Sequence, residues 1–143
     1  MMCHPFPLLL FLAFLSPLSA ADDKAAREQI RQGVERIRAG AALAIEGRRI
    51  SSEQVLPALY EQREFMPLWT RRESVNQLFD ALENIHEDGL DPEDYHAEKL
   101  RQLRERMENA RTIDARVAAE YDMLSTDSLI RLGCHLLVAR STW

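Results

Sequence analysis

Ser74-Val75-Asn76-Gln77-Leu78-Phe79-Asp80-Ala81-Leu82-Glu83-Asn84-Ile85-His86-Glu87 holds the clearest periodicity in the chain. Val75, Leu78, Phe79, Leu82 and Ile85 stand at i, i+3, i+4, i+7 and i+10, one stripe of an α-helix. Gly89-Leu90 comes next, a pairing that suits a left-handed C-cap with a hydrophobic contact back to the last turn. Asp91-Pro92 then reads as an N-cap with proline at the first helical position. Ala97, Leu100, Leu103 and Met107 make the next stripe, ending near Asn109. Runs of Val, Ile and Thr with period-two alternation are absent, so no strand is expected. The pattern predicts an all-α fold.

Working toward the N-terminus, Pro67 closes a segment in which Leu56, Leu59 and Tyr60 supply an apolar face, and Phe65-Met66-Pro67-Leu68-Trp69 is left as an apolar connector. Ser51 and Gln54 have capping-box spacing. Pro57, which lacks an N–H, implies either a helix starting there or a kink. Before that, Ile30, Val34, Ile37, Ala41 and Ala44 predict a helix from Asp23 to Glu46, stopped at Gly47. Toward the C-terminus, Thr112 is placed to cap a helix reaching Ala139, with Val117, Tyr121 and Leu124 on one side. Its second half differs: Leu129, Ile130, Leu132, Cys134, Leu136, Leu137 and Val138 cover most of the circumference. A helix apolar all round is buried all round, so this one is either the rod of the bundle or awaits a partner.

The chain of 143 residues has room for one compact domain. An apolar content of 46% excludes wholesale disorder. The net charge of -5 argues against nucleic acid, which is met by a basic stripe, and gains nothing at an anionic membrane. Phe6 to Leu18 is almost wholly apolar and leads to Ser19-Ala20-Ala21, the small-x-small pattern of a cleaved secretory signal. Met1 to Pro5 departs from that pattern in having no Lys or Arg. The run is short for a bilayer, which needs roughly 20 residues. Cleavage is expected after Ala21, leaving the net charge unchanged, no stable membrane span and no cysteine to lipidate. Residues 1–21 are thus read as signal peptide, 22–48 as an N-terminal helix, 49–140 as the helical domain and 141–143 as a tail. Cys134 is then the only cysteine, and no internal disulfide can form.

Few residues invite chemistry. Gly133-Cys134-His135 sets a thiol beside an imidazole, but neighbours on a helix point about 100° apart, and leucines flank them. Cys134 is therefore expected in the core, inert. His86, Glu87, Asp88, Asp91, Glu93, Asp94 and His96 form an acidic and histidine cluster around a turn. Its acids are misplaced for a calcium loop and sit where helix N-termini favour negative charge. Tyr60, Phe65, Trp69, Phe79, Tyr95 and Tyr121 are weighed as a sugar-stacking platform and assigned to the core, Trp69 least securely because it lies in the connector. The Glu- and Arg-rich stretch Glu98 to Arg111 reads as a solvated helix face. No residue is assigned to catalysis, to a cofactor or to a metal.

The order of residues resembles a known family. Leu59-Tyr60-Glu61-Gln62-Arg63-Glu64-Phe65-Met66-Pro67-Leu68-Trp69 is similar to the opening signature of the scaffold domain in large periplasmic murein L,D-transpeptidases of Gram-negative bacteria, a Tyr followed by Phe-x-Pro-x-Trp. Gly89-Leu90-Asp91-Pro92-Glu93-Asp94-Tyr95-His96 resembles the family's Gly-Leu-x-Pro-x-x-Tyr-His turn. Tyr121-Asp122-Met123-Leu124-Ser125-Thr126-Asp127-Ser128, with His135-Leu136 beyond, resembles its Asp-x-x-Leu-Thr helix. The blocks cover roughly Ile50 to Val138. The family's enzymes continue into a peptidoglycan-binding module and a β-rich catalytic domain with a Ser-His-Gly-Cys nucleophile. That motif is absent, and Cys134 does not inherit its role. The resemblance implies a helical bundle of about five helices that does not act as an enzyme on its own. It would be a periplasmic scaffold for peptidoglycan cross-linking and cell-wall biogenesis, in truncated form. Its partners would be peptidoglycan or the missing transpeptidase domains, met through the apolar C-terminal helix. The alternative is a stand-alone periplasmic adaptor that binds peptidoglycan or a cell-wall synthesis protein.

Overall fold

The computed structural model describes residues 20–141, with side chains from 22 to 138. Residues 1–19, where the sequence pattern leads to the expectation of a signal peptide, and the last two residues lie outside the described residues. Helices dominate, in the order α1 (Ala20–Arg38), β1 (Ala44–Ile45), β2 (Arg48–Arg49), α2 (Leu56–Gln62), α3 (Arg72–Asn84), α4 (Ala97–Asn109) and α5 (Ala115–Ser141). Two 3-10 turns, Ile85–Asp88 and Pro92–Tyr95, lead from α3 into α4. The fold is all-α apart from one small hairpin.

α5 is the rod. It packs against α1, α2 and α4 and against the second 3-10 turn. Ile30, Val34 and Ile37 stand at i, i+4 and i+7 on α1 and are buried against it. The approach is close at Gly33, where an added Cβ would come within 2.8 Å of Met123 Sδ. Leu56 and Tyr60 of α2, Leu78 and Leu82 of α3, and Leu100 and Leu103 of α4 complete the same core.

Several expectations need correction. The first helix does not run from residue 22 to 48. It ends at Arg38, and Ala39 to Ala41 turn the chain through backbone bonds to Glu35, Ile37 and Arg36. The chain then forms an antiparallel hairpin that pairs Ala44 with Arg49 and Ile45 with Arg48. Its two-residue loop is Glu46-Gly47, with φ of 45° and 81°, the doubly positive turn that matches the twist of paired strands. Gly47 is therefore a hairpin turn and not a helix stop. Glu46 anchors the hairpin to α4 through Lys99 and Arg106.

Ser51 does not cap α2. The residue before that helix is Val55, without a side-chain cap, and Pro57 sits in the first turn. α2 ends at Gln62, before Pro67, with Arg63 as its C-cap, and two consecutive left-handed residues follow, Glu64 (φ 53°) and Phe65 (φ 62°). Asp114, not Thr112, opens α5, its carboxylate accepting from the amides of Arg116 and Val117. Gly89 (φ 76°) and Asp91, which accepts from the Glu93 amide, stand as expected.

The apolar half of α5 is the largest difference. Every residue from Tyr121 to Ser128 is buried, whereas Leu129, Leu137 and Val138 are 49%, 72% and 62% exposed. The other helices gather around the first half of the rod, and its last turns run past them. Cys134 is exposed as well.

The burial of α1 can be tested directly. Ile30→Ala is expected to cost about 2–5 kcal/mol in urea unfolding, the range for a buried aliphatic truncation. A change under about 0.5 kcal/mol, typical of a surface site, would show that α1 is not part of the core.

Candidate functional site

The most organised chemistry in the molecule lies inside it, along Tyr121 to Ser128 of α5. Asp122, Ser125, Thr126, Asp127 and Ser128 are all buried. A carboxylate removed from water is tolerated only when protein donors replace the solvent. Both aspartates are supplied in that way, from chain segments far away in sequence.

Asp122 is served by the connector after α2. The two left-handed residues there let the Phe65 amide bond back to Tyr60 O at 2.7 Å. Pro67 has no N–H to offer. The next two amides, Leu68 and Trp69, donate to Asp122 Oδ2, each at 2.9 Å. Tyr60 Oη donates to Asp122 Oδ1 at 2.6 Å. Thr126, one turn further along the same face of α5, accepts from Trp69 Nε1 at 3.0 Å and lies 2.9 Å from Tyr60 Oη. Tyr60, Trp69, Asp122 and Thr126 thus form one closed set.

Asp127 points to the neighbouring face. Its Oδ1 accepts from the Ser51 amide (2.8 Å), the Ser52 amide (2.7 Å) and Ser52 Oγ (2.7 Å). Its Oδ2 lies 2.9 Å from His96 Nε2. His96 adopts φ 61° between the second 3-10 turn and α4, a conformation that directs the ring inward. Ser128 Oγ lies 2.7 Å from Tyr95 O, to which it donates. His135 lies on the same helix face seven residues on, and its Nδ1 is 2.5 Å from Tyr95 Oη.

The two carboxylates differ electrostatically. For Asp122, burial outweighs the donors from Tyr60, Trp69 and Leu68, and its pKa is raised. For Asp127, burial is opposed by His96, Ser52 and Ser51, and the donors prevail, so its pKa is lowered. Burial, with the Asp122 charge adding to it, pushes the Tyr60 phenol well above its ordinary range.

The residues singled out from sequence are distributed by this network. Tyr60, Tyr95, Phe79 and Tyr121 are buried, and Phe65 and Trp69 are half-buried, which fits core better than a platform. Cys134 is the correction: it is exposed, and His135 beside it is engaged by Tyr95 instead. The acidic and histidine cluster does not converge. His96 faces inward, His86 Nδ1 lies on Glu83 O, and Asp91 caps its own turn. Among the described residues, no group of three or more His, Cys, Asp or Glu side chains could hold a metal. No described helix is long and apolar enough to cross a membrane. Residue-by-residue inspection of the sequence does not reveal the structural weight of Asp122 and Asp127. The one local signal is the i, i+4 spacing of Asp122 and Thr126 beside leucine. The outer surface also carries a cleft of about 670 Å³ beside Trp69, between the first turn of α1 and the turn from α4 to α5.

The family model described as the Scaffold domain matches residues 54–142. No curated protein and no solved structure matches the chain. The matched span holds both aspartates and the connector amides. α1, the hairpin and Ser51-Ser52 precede it, although they share its core and its network.

The aspartates can be told apart by substitution. Asp122→Asn is expected to destabilise more than Asp127→Asn. Both oxygens of Asp122 face N–H or O–H donors, so a carboxamide NH2 must oppose one, whereas Asn at 127 keeps its oxygen on the serines. Asp127→Ala, which orphans all three serine donors, is expected to cost about 3–5 kcal/mol. Comparative denaturation at pH 7 gives the order, and equal costs for the two Asn variants would refute it. The pH dependence has a definite sign. A lowered folded pKa makes the Asp127 contribution full above the unfolded Asp value of about 3.9 and lost as pH falls through the folded one. The gap between wild type and Asp127→Asn should therefore narrow below about pH 4. The Asp122 contribution runs oppositely and is lost as pH rises through its raised value.

Proposed function

The chain belongs to the scaffold-domain family, and we propose that it is the non-catalytic scaffold of a murein L,D-transpeptidase, supporting peptidoglycan cross-linking in the periplasm without performing it. One observation carries the reading. The three stretches resembling the transpeptidase scaffold, Tyr60 to Trp69, Gly89 to His96 and Tyr121 to Ser128, meet on one buried stretch of α5, the first at Asp122 and Thr126 and the second at Asp127 and Ser128. Tyr60, Trp69, His96, Asp122 and Asp127 bond to one another or to nearby backbone. Groups so engaged position a chain, and none of these five is offered to a substrate.

The outer surface of α5 supports the second half of the proposal. Leu129 and Leu137 are exposed apolar side chains, with half-buried Leu136 between them. Exposed leucines repeated over two turns of one helix are what a contact with another protein would use. The partner proposed is the catalytic part of the transpeptidase, which the scaffold would hold at the wall. The same surface favours, as second reading, a stand-alone adaptor docking on a different cell-wall synthesis protein. Periplasmic location rests on the leader pattern of residues 1–21.

Incubation of the purified chain with isolated sacculi, followed by muropeptide separation, is expected to yield no new 3-3 cross-links. Added to an L,D-transpeptidase catalytic domain, the wild-type chain is expected to co-elute with it and Leu137→Asp is not. Cross-links formed by the chain alone would overturn the non-catalytic reading. Co-elution unaffected by Leu137→Asp would overturn the docking surface, and no co-elution at all would favour the adaptor.

A further inference from the structure

Past Asp127, three side chains of α5 turn to one tyrosine. Ser128 Oγ donates to Tyr95 O at 2.7 Å, the Arg131 guanidinium lies 5.7 Å from the centre of the Tyr95 ring, and His135 Nδ1 is 2.5 Å from Tyr95 Oη. The His135 and Tyr95 rings meet edge to face, at 80° with centroids 5.6 Å apart. Ser128, Arg131 and His135 stand at i, i+3 and i+7, one stripe of the helix. Leu129 and Leu137, a turn to either side of Gly133, lie on the opposite face. An added Cβ at Gly133 would meet no atom within 4 Å, so that face is open.

Tyr95 is a fixed base for these contacts. It is only 1% exposed, and the residue after it, His96, is bonded to Asp127. Tyr95 and His96 together grip α5 at Asp127 and again at His135, eight residues or roughly 12 Å apart along the axis. One point of attachment lets a projecting helix pivot, whereas two spaced points fix its direction. Apolar packing of the same turns is thin: Leu132 is buried and Leu136 half-buried, while Leu129 and Leu137 are exposed.

We propose that Tyr95 is a positioning residue, a clamp that sets the direction of the projecting half of α5 and so presents Leu129 and Leu137 to a partner on a preset rod. The purpose of the clamp rests on the docking face of the scaffold reading; its existence rests on the two grips alone. A surface ordered before the encounter loses less freedom on binding, and binds more tightly for that reason.

Tyr95→Phe is the direct test, because it keeps the ring beneath Arg131 and removes only the oxygen that meets His135. Hydrogen exchange in the full chain is expected to quicken about three- to tenfold at the amides of residues 132–136, as for loss of one hydrogen bond that holds the segment closed. Ile30→Ala weakens the core at a distance and should leave those amides unchanged, which separates a clamp from a general loss of stability. His135→Ala should quicken the same amides, and the double variant no more than the larger single effect, since both remove one contact. Association is measured separately, with an L,D-transpeptidase catalytic domain, and Tyr95→Phe is expected to weaken it about three- to tenfold. If the wild-type chain does not associate, the docking reading falls and exchange alone decides the clamp. Exchange at 132–136 indifferent to Tyr95→Phe, or additive in the double variant, would overturn the proposal, and so would quickened exchange with undiminished association.

Discussion

Asp122 and Asp127 stand on one helix, closed off from water, and each needs several donors at hydrogen-bond distance. A buried carboxylate left short of partners destabilises a small domain by a large share of its total stability. That requirement shapes the rest of the molecule. The connector after α2 is bent by two left-handed residues so that consecutive amides reach Asp122. The chain entering α2 passes Asp127 with the Ser51 and Ser52 amides turned toward it. His96 is held at positive φ for the same carboxylate. Irregular segments, which have no ladder of their own, are thereby given fixed positions. Apolar packing supplies the driving force, and the aspartates select one arrangement from the many that packing alone would accept.

Features set by neighbours in sequence are legible in it. The α3 stripe from Val75 to Ile85, the Gly89 cap and the Asp91-Pro92 start are local, and the structure has them. The hairpin is not legible, because two-residue strands are too short to display a period, and Ala41 and Ala44 continue the α1 spacing by coincidence of composition. The C-terminal half of α5 departs from expectation for a different reason. Hydropathy records what a side chain prefers, and burial depends on what other elements can reach. The connecting segments, with Tyr60 of α2, reach Asp122 and Asp127 through hydrogen bonds, and nothing among the described residues closes over Leu137. Cys134 departs from the core for the same reason. The three blocks of resemblance point to the right residues without saying why they matter; the reason lies in contacts spanning tens of positions, which no local pattern encodes.

The three blocks accordingly serve architecture in this chain. Tyr60, Trp69, His96 and Asp127 are residue types that elsewhere carry catalysis, and in an enzyme they would line an opening. Here their polar atoms are taken up inside the fold, on or against α5, and the outer surface carries ion pairs and an exposed apolar helix end. A scaffold and an enzyme differ in this respect more than in composition: the same side chains are either held by the fold or offered to a ligand.

α5 is also made after every segment that it holds. Ser51 and Ser52 bond to a residue about 75 positions ahead, Tyr60 to one 62 ahead, and the Leu68 amide to one 54 ahead. During synthesis these groups remain hydrated and α1 has no rod to lie against, so the nascent chain has no native state to enter until Tyr121 to Ser128 emerge. Contacts this distant close slowly, since a long loop must be ordered before any of them forms. Folding is thereby tied to the arrival of one helix: the polypeptide stays open while its earlier segments are elongated and then assembles around α5, with the two aspartates acting as the condition for closure.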